Sequence, residues 1–241
     1  MDDGLEKQNS AGRQPAGRPE GMFSLDGVLG GWGASSQLEY NPLNLSVGST
    51  LKLHGPDFDG LAFEVEQILG TTISHAGSTY RLTDYVLIGT MSPETACLAD
   101  SDAQVRVRLR CGDDGYGGLD VTAFQAQHLE QEGTHTFNNL ASSSGLVPLR
   151  NSRGGYEYGF ERIDGARDVY RGHRAVIGGE GSDGSVTNRT IESLDYSREQ
   201  PDGEGGFYTQ WALVEHNPET RDMITLFGWS LDPSLIESTG S

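Results

Sequence analysis

Gln104-Val105-Arg106-Val107-Arg108-Leu109-Arg110-Cys111 alternates without interruption: Val105, Val107, Leu109 and Cys111 fall on one face, and Arg106, Arg108 and Arg110 on the other. A period of two residues is the signature of a β-strand with one apolar and one polar surface. The same alternation recurs along the chain. Leu43, Leu45 and Val47 carry it, as do Leu51 and Leu53, then Phe63 and Val65, followed by Ile68-Leu69. Thr79 to Gly89 is rich in residues that suit a pleated surface and predicts one long strand, or two with a bend. Tyr156, Tyr158 and Phe160, then Ala175-Val176-Ile177, Thr190 to Tyr196, 207–215 and Met223 to Leu231 continue the series, which Pro233 stops. Turn signals lie between them at Gly48-Ser49, Gly112-Asp113-Asp114-Gly115 and Asp202 to Gly206. Strands at spacings of roughly 8–15 residues predict a mainly β fold, an antiparallel sandwich or barrel. One short helix is expected over Leu119 to Glu132, with Phe124, His128 and Leu129 on its apolar face.

Two distant stretches echo each other. Thr83-Asp84-Tyr85-Val86-Leu87-Ile88, ending in Pro93-Glu94-Thr95, matches Thr209-Gln210-Trp211-Ala212-Leu213-Val214, ending in Pro218-Glu219-Thr220. The echo predicts a barrel or sandwich built from two related β units. Residues 43–132 form the first and 155–237 the second, with a Ser-, Asn- and Gly-rich connector at 133–154. Residues 1–21 are polar and are expected to be disordered. In 22–33, Phe23, Leu25, Val28, Leu29 and Trp32 suit a short amphipathic turn broken by glycines. That segment is a candidate docking peptide for a protein partner or, peripherally, for a membrane surface.

The formal charge of -18 argues against free nucleic acid and anionic lipid as partners. Of the 17 cationic residues only Lys7 and Lys52 are lysine, which codon bias of a GC-rich genome explains more simply than adaptation to salt. Cys97 and Cys111 lack CxxC spacing; two free buried thiols in a reducing compartment are the default expectation, and a single bridge between neighbouring strands is the alternative. The N-terminus has no basic region followed by an apolar core, and no segment approaches the roughly 20 apolar residues of a membrane span. A cytoplasmic location is the expectation.

Chemistry-bearing motifs are sparse. The six histidines show no HExxH spacing, GxSxG and GxxxxGK[ST] are absent, and Gly178 to Gly184 lacks the alternating carboxylates of a calcium loop. No residue is singled out as catalytic or metal-ligating, and no cofactor is expected. Arg106, Arg108 and Arg110 suit bidentate contacts to a phosphate or an acidic partner. The plainer expectation is a solvent face pairing across strands with the abundant Asp and Glu. Asp84 and the adjacent pair Glu215-His216 are further polar candidates for a groove between the two units.

Thr83-Asp84-Tyr85-Val86-Leu87 with Val105 to Arg110, and Leu194-Asp195-Tyr196-Ser197-Arg198-Glu199 leading into Trp211-Ala212-Leu213-Val214-Glu215, carry a family resemblance. The chain resembles the uncharacterised bacterial proteins of the YjfK-like type and related domains of unknown function, over about 43–237. The resemblance implies a β-rich cytoplasmic protein, encoded near membrane-stress proteins of the phage-shock type, in an accessory role. It supplies no catalytic residue. The expectation is therefore a non-enzymatic interaction module. The alternatives are a small-ligand binder or enzyme with a site between the units, and a structural subunit of an assembly.

Overall fold

A computed structural model describes residues 40–54, 58, 61–75, 77–90, 104–113, 118–151, 153–163, 170–178 and 186–240. The expectations for 1–21, for the docking peptide 22–33, for Cys97 and for the Pro93-Glu94-Thr95 turn lie outside these residues. The strands are β1 (Thr50–Leu53), β2 (Leu61–His75), β3 (Ser78–Thr90), β4 (Gln104–Asp113), β5 (Leu119–Glu130), β6 (Val147–Arg150), β7 (Tyr156–Arg162), β8 (Tyr170–Gly178), β9 (Thr187–Pro201), β10 (Phe207–His216), β11 (Met223–Ser230) and β12 (Ile236–Gly240). The helix α1 spans Thr134–Ser142, and a 3-10 turn covers Pro233–Leu235. No helix among the described residues is long and apolar enough to cross a membrane.

Eight strands close into an antiparallel ring. Its order is β2-β3-β4-β5-β11-β10-β9-β8, and β8 returns to pair with β2. The ring consists of two four-strand meanders, β2 to β5 and β8 to β11, joined edge to edge by the β5–β11 and β2–β8 pairings. The β2–β3 and β9–β10 connections are short turns. Gly77, at φ 81°, sits in the β2–β3 turn. Asp202 holds the β9–β10 turn by accepting the Glu204 and Gly206 amides at 2.8 Å each, and those bonds lower its carboxyl below the ordinary aspartate range.

The apolar side chains pack largely outside the ring. On the first meander Tyr85, Leu87, Val107, Leu109, Cys111, Val121 and Ala123 are buried. The segment at 40–46 lies over this face: the Tyr85 hydroxyl donates to Asn41 Oδ1 and accepts the Leu43 amide. On the second meander Leu194, Tyr196, Ala212, Val214, Met223 and Phe227 pack with Phe137 and Ala141 of α1, Val147 and Leu149 of β6, and Phe160 of β7.

Two sequence expectations shift. The stretch read as the helix, Leu119 to Glu132, is mostly β5, paired on both sides with β4 and β11. Val121 and Ala123 are buried at strand spacing, and tertiary pairing overrides the helix-prone Ala, Gln and Glu. The helix lies instead in the expected connector, where Phe137 and Ala141, one turn apart, share its buried face. The echo offers no support for a repeat: it falls on β3, second strand of its meander, and β10, third of its own. Both strands carry buried apolar residues, Tyr85 and Leu87 on β3 and Ala212, Leu213 and Val214 on β10, which favours similar residues at unrelated positions.

Candidate functional site

Asp84 on β3 stands opposite Arg110 on β4 in the ladder. Arg110 grips it with a two-pronged contact, Nε to Oδ1 at 2.8 Å and Nη2 to Oδ2 at 3.0 Å. The same Nη2 donates to Glu215 Oε1 of β10 at 3.1 Å. Arg108, two residues earlier on β4, donates from Nη1 to Glu215 Oε2 at 2.8 Å and lies 3.6 Å from Asp84 Oδ2. Arg174 of β8 donates from Nη2 to Glu215 Oε1 and lies 3.7 Å from Asp84 Oδ2. Neither β4 nor β8 neighbours β10 in the ring, so these contacts cross its interior.

The carboxylate side chains are 0 % exposed for Asp84 and 4 % for Glu215, and the three arginines keep 11–12 %. Burial alone would raise the Glu215 carboxyl, but the Arg108, Arg174 and Arg110 guanidiniums outweigh it and hold Glu215 well below the usual carboxylate range. Burial likewise works against the charge on Arg110, and Asp84, through its charge and its hydrogen bonds, more than restores it. Both groups are fixed in their charged forms near neutrality, so neither is poised to exchange a proton there. The arrangement suits anion binding better than acid–base work. Three guanidiniums face two buried carboxylates, and the next acid, Asp195 of β9, lies 4.0 Å from Arg110 Nη1 with its side chain 33 % exposed. Beside the ions, Phe124, Leu213 and Leu226 form a small apolar cluster with Trp211 and Ile224, and Arg110 Cζ sits 5.8 Å from the Phe124 ring centre.

Asp84, Arg108, Arg110 and Glu215, all named from sequence, thus converge. Arg106 does not join them: it is exposed and pairs with Glu66 at 3.3 Å. His216 points to the opposite side of β10, against α1. Its Nδ1 meets Glu192 Oε2 at 3.0 Å, its Nε2 meets Thr134 Oγ1 at 3.0 Å, and its ring stacks on Phe137 at 4.9 Å. Adjacent residues of a strand face opposite ways, so Glu215 and His216 could not share one site. Arg108 and Arg110 face the enclosed interior rather than bulk solvent, although the pairing of the arginines with acids is as expected. Cys111 is a free thiol on the opposite, outer face, and burial, then Asp84 and Asp120, push its pKa up. Sequence reasoning missed Arg174. A cation set directly against the apolar run Ala175-Val176-Ile177 was the available signal. Compared with family models, with curated proteins and with solved structures, the chain matches none.

Proposed function

We propose that this chain is a binding protein rather than an enzyme, and that it takes a small acidic ligand into the interior of the ring. The observation that carries this is three nearly buried guanidiniums, Arg108, Arg110 and Arg174, around only two buried carboxylates, Asp84 and Glu215, while the third acid, Asp195, stands 4.0 Å from Arg110 and is 33 % exposed. Desolvated guanidiniums whose third counter-charge is distant and part-exposed favour a closer anion as their complement. The partial exposure of Asp195 beside Arg110 supports an approach for such a ligand. Antiparallel barrels of about eight strands have interiors sized for side chains plus, at most, one small molecule. Calorimetric titration of the purified chain with short carboxylates and phosphate esters tests it. Saturable binding that Arg108→Gln weakens about tenfold, the loss of one charge-assisted bond, is the expected result. An absence of heat across both ligand classes would reject it.

A second reading, the interaction module, is favoured by exposed aromatics: Tyr156, Tyr158 and Phe207 are 53 %, 68 % and 71 % exposed. The accessory role in a cytoplasmic membrane-stress system, which the resemblance implies, belongs to this reading, with 22–33 as its docking peptide. Its test is purification from native cells. The reading requires a defined partner that is lost from the Tyr156→Ser/Tyr158→Ser/Phe207→Ser variant or on deletion of 1–33.

A further inference from the structure

Thr71 of β2 and Arg174 of β8 stand opposite each other on the seam that closes the ring. Arg174 reaches into the interior to Glu215, and residues opposed in an antiparallel pair project to the same side. Thr71 therefore faces the interior as well. As whole residues they are 2 % and 9 % exposed. Thr71 Oγ1 and Arg174 Nε are both buried without a hydrogen-bond partner. Buried polar atoms in native proteins nearly always have one, so two orphans on opposed residues mark a place where a partner belongs. Among the described residues no protein group supplies it. The flanking interior pairs on the seam are Leu69 with Val176 and Ile73 with Gly172, whose side chains carry no polar atom.

Arg174 Nε can only donate, and a threonine hydroxyl can donate. The missing partner is therefore an acceptor. A water molecule could accept from both groups, but it carries no charge to set against the arginines. The charge of the neighbourhood favours an anion instead, since three guanidiniums face two buried carboxylates. An oxyanion also has further oxygens to offer to the adjacent arginines.

We propose that Thr71 Oγ1 and Arg174 Nε form the seat of an oxyanion, a carboxylate or phosphate group, and that this corner fixes the acidic end of the ligand inside the ring. The inference rests on the interior being an anion site and adds where the anion sits and which atoms hold it. Titrations with inorganic phosphate and with acetate, at ionic strength held constant with sodium chloride, separate the two oxyanion sources. At least one of them is expected to bind. Thr71→Val, which removes the hydroxyl at nearly constant volume, should weaken binding about tenfold, and Thr71→Ser should keep it within about threefold. The Arg174 Nε–H resonance of the unmodified protein provides a measurement that needs no variant, and it should move with saturation.

Equal binding by Thr71→Val, or an Arg174 Nε–H resonance that stays still while Arg108→Gln weakens binding, would overturn the corner and leave the interior reading standing. Binding indifferent to Arg108→Gln as well as to Thr71→Val, or no binding of either anion, would overturn both. If Thr71→Val fails to fold, the resonance and Thr71→Ser decide.

Discussion

Glu215 accepts hydrogen bonds from Arg108, Arg110 and Arg174 while almost wholly buried. Its ionised form is therefore part of the folded state, and stability should depend on pH through it. The folded carboxyl titrates below its unfolded value. The contribution is present above the unfolded pKa, near 4.5, and is lost as pH falls toward the depressed folded value. Urea midpoints measured from neutral pH down to about 2 should fall below pH 5 in the native sequence. Glu215→Gln should cost about 3–5 kcal/mol at neutral pH, the usual loss when one partner of a buried pair is removed. It should also show a shallower acid decline, and an unchanged decline would remove Glu215 from this role. At this scale much of the site was legible. Asp84, Arg108, Arg110 and Glu215 are charges set in otherwise apolar strands, and that incongruity is visible in any sequence. Alternation separates two faces of a strand, but it does not say which face a ring will enclose.

Elements are held in place here by a seam that no local pattern announces. β2 and β8 are nearly a hundred residues apart, and their backbones approach closely at Gly172. A Cβ added there would lie 2.5 Å from Thr72 O and 3.2 Å from Ile73 Cα. Both are backbone atoms, so no side chain can swing aside. Gly172→Ala should destabilise by about 1–3 kcal/mol, the range for overpacking, and should speed amide exchange on β8 before β4. If urea denaturation shows no loss, the seam is looser than this geometry. The helix illustrates the converse failure of local signals. Thr134 to Ser142 reads THTFNNLAS, mostly poor helix formers. It is helical because Phe137 and Ala141 pack with Val214 and Met223 of the outer core. Leu119 to Glu130 has the better helix composition but is a strand, because β4 and β11 flank it.

Taken as a whole, the molecule carries -18 on its outside and interior together, while the interior network gathers three arginines around two buried carboxylates. The β class was readable because strand period and turn chemistry are local. Closure of the ring was not, because it depends on pairing between strands distant in sequence. The two charge populations should respond differently to salt. Surface carboxylates repel one another through solvent, and that repulsion is screened over about 10 Å at 0.1 M salt. A large net charge destabilises the compact state. Raising sodium chloride from about 0.05 to 0.5 M should therefore raise the thermal midpoint of the native chain. The buried ions lie largely beyond the reach of that screening. Glu215→Gln should start from a lower midpoint yet gain a similar increment with salt, because its defect is internal and the relieved repulsion is external. If the variant's increment collapses, the network and the surface share one electrostatic environment, and the interior is open to bulk ions. If both midpoints stay flat, surface repulsion is not a significant term in the stability of this fold.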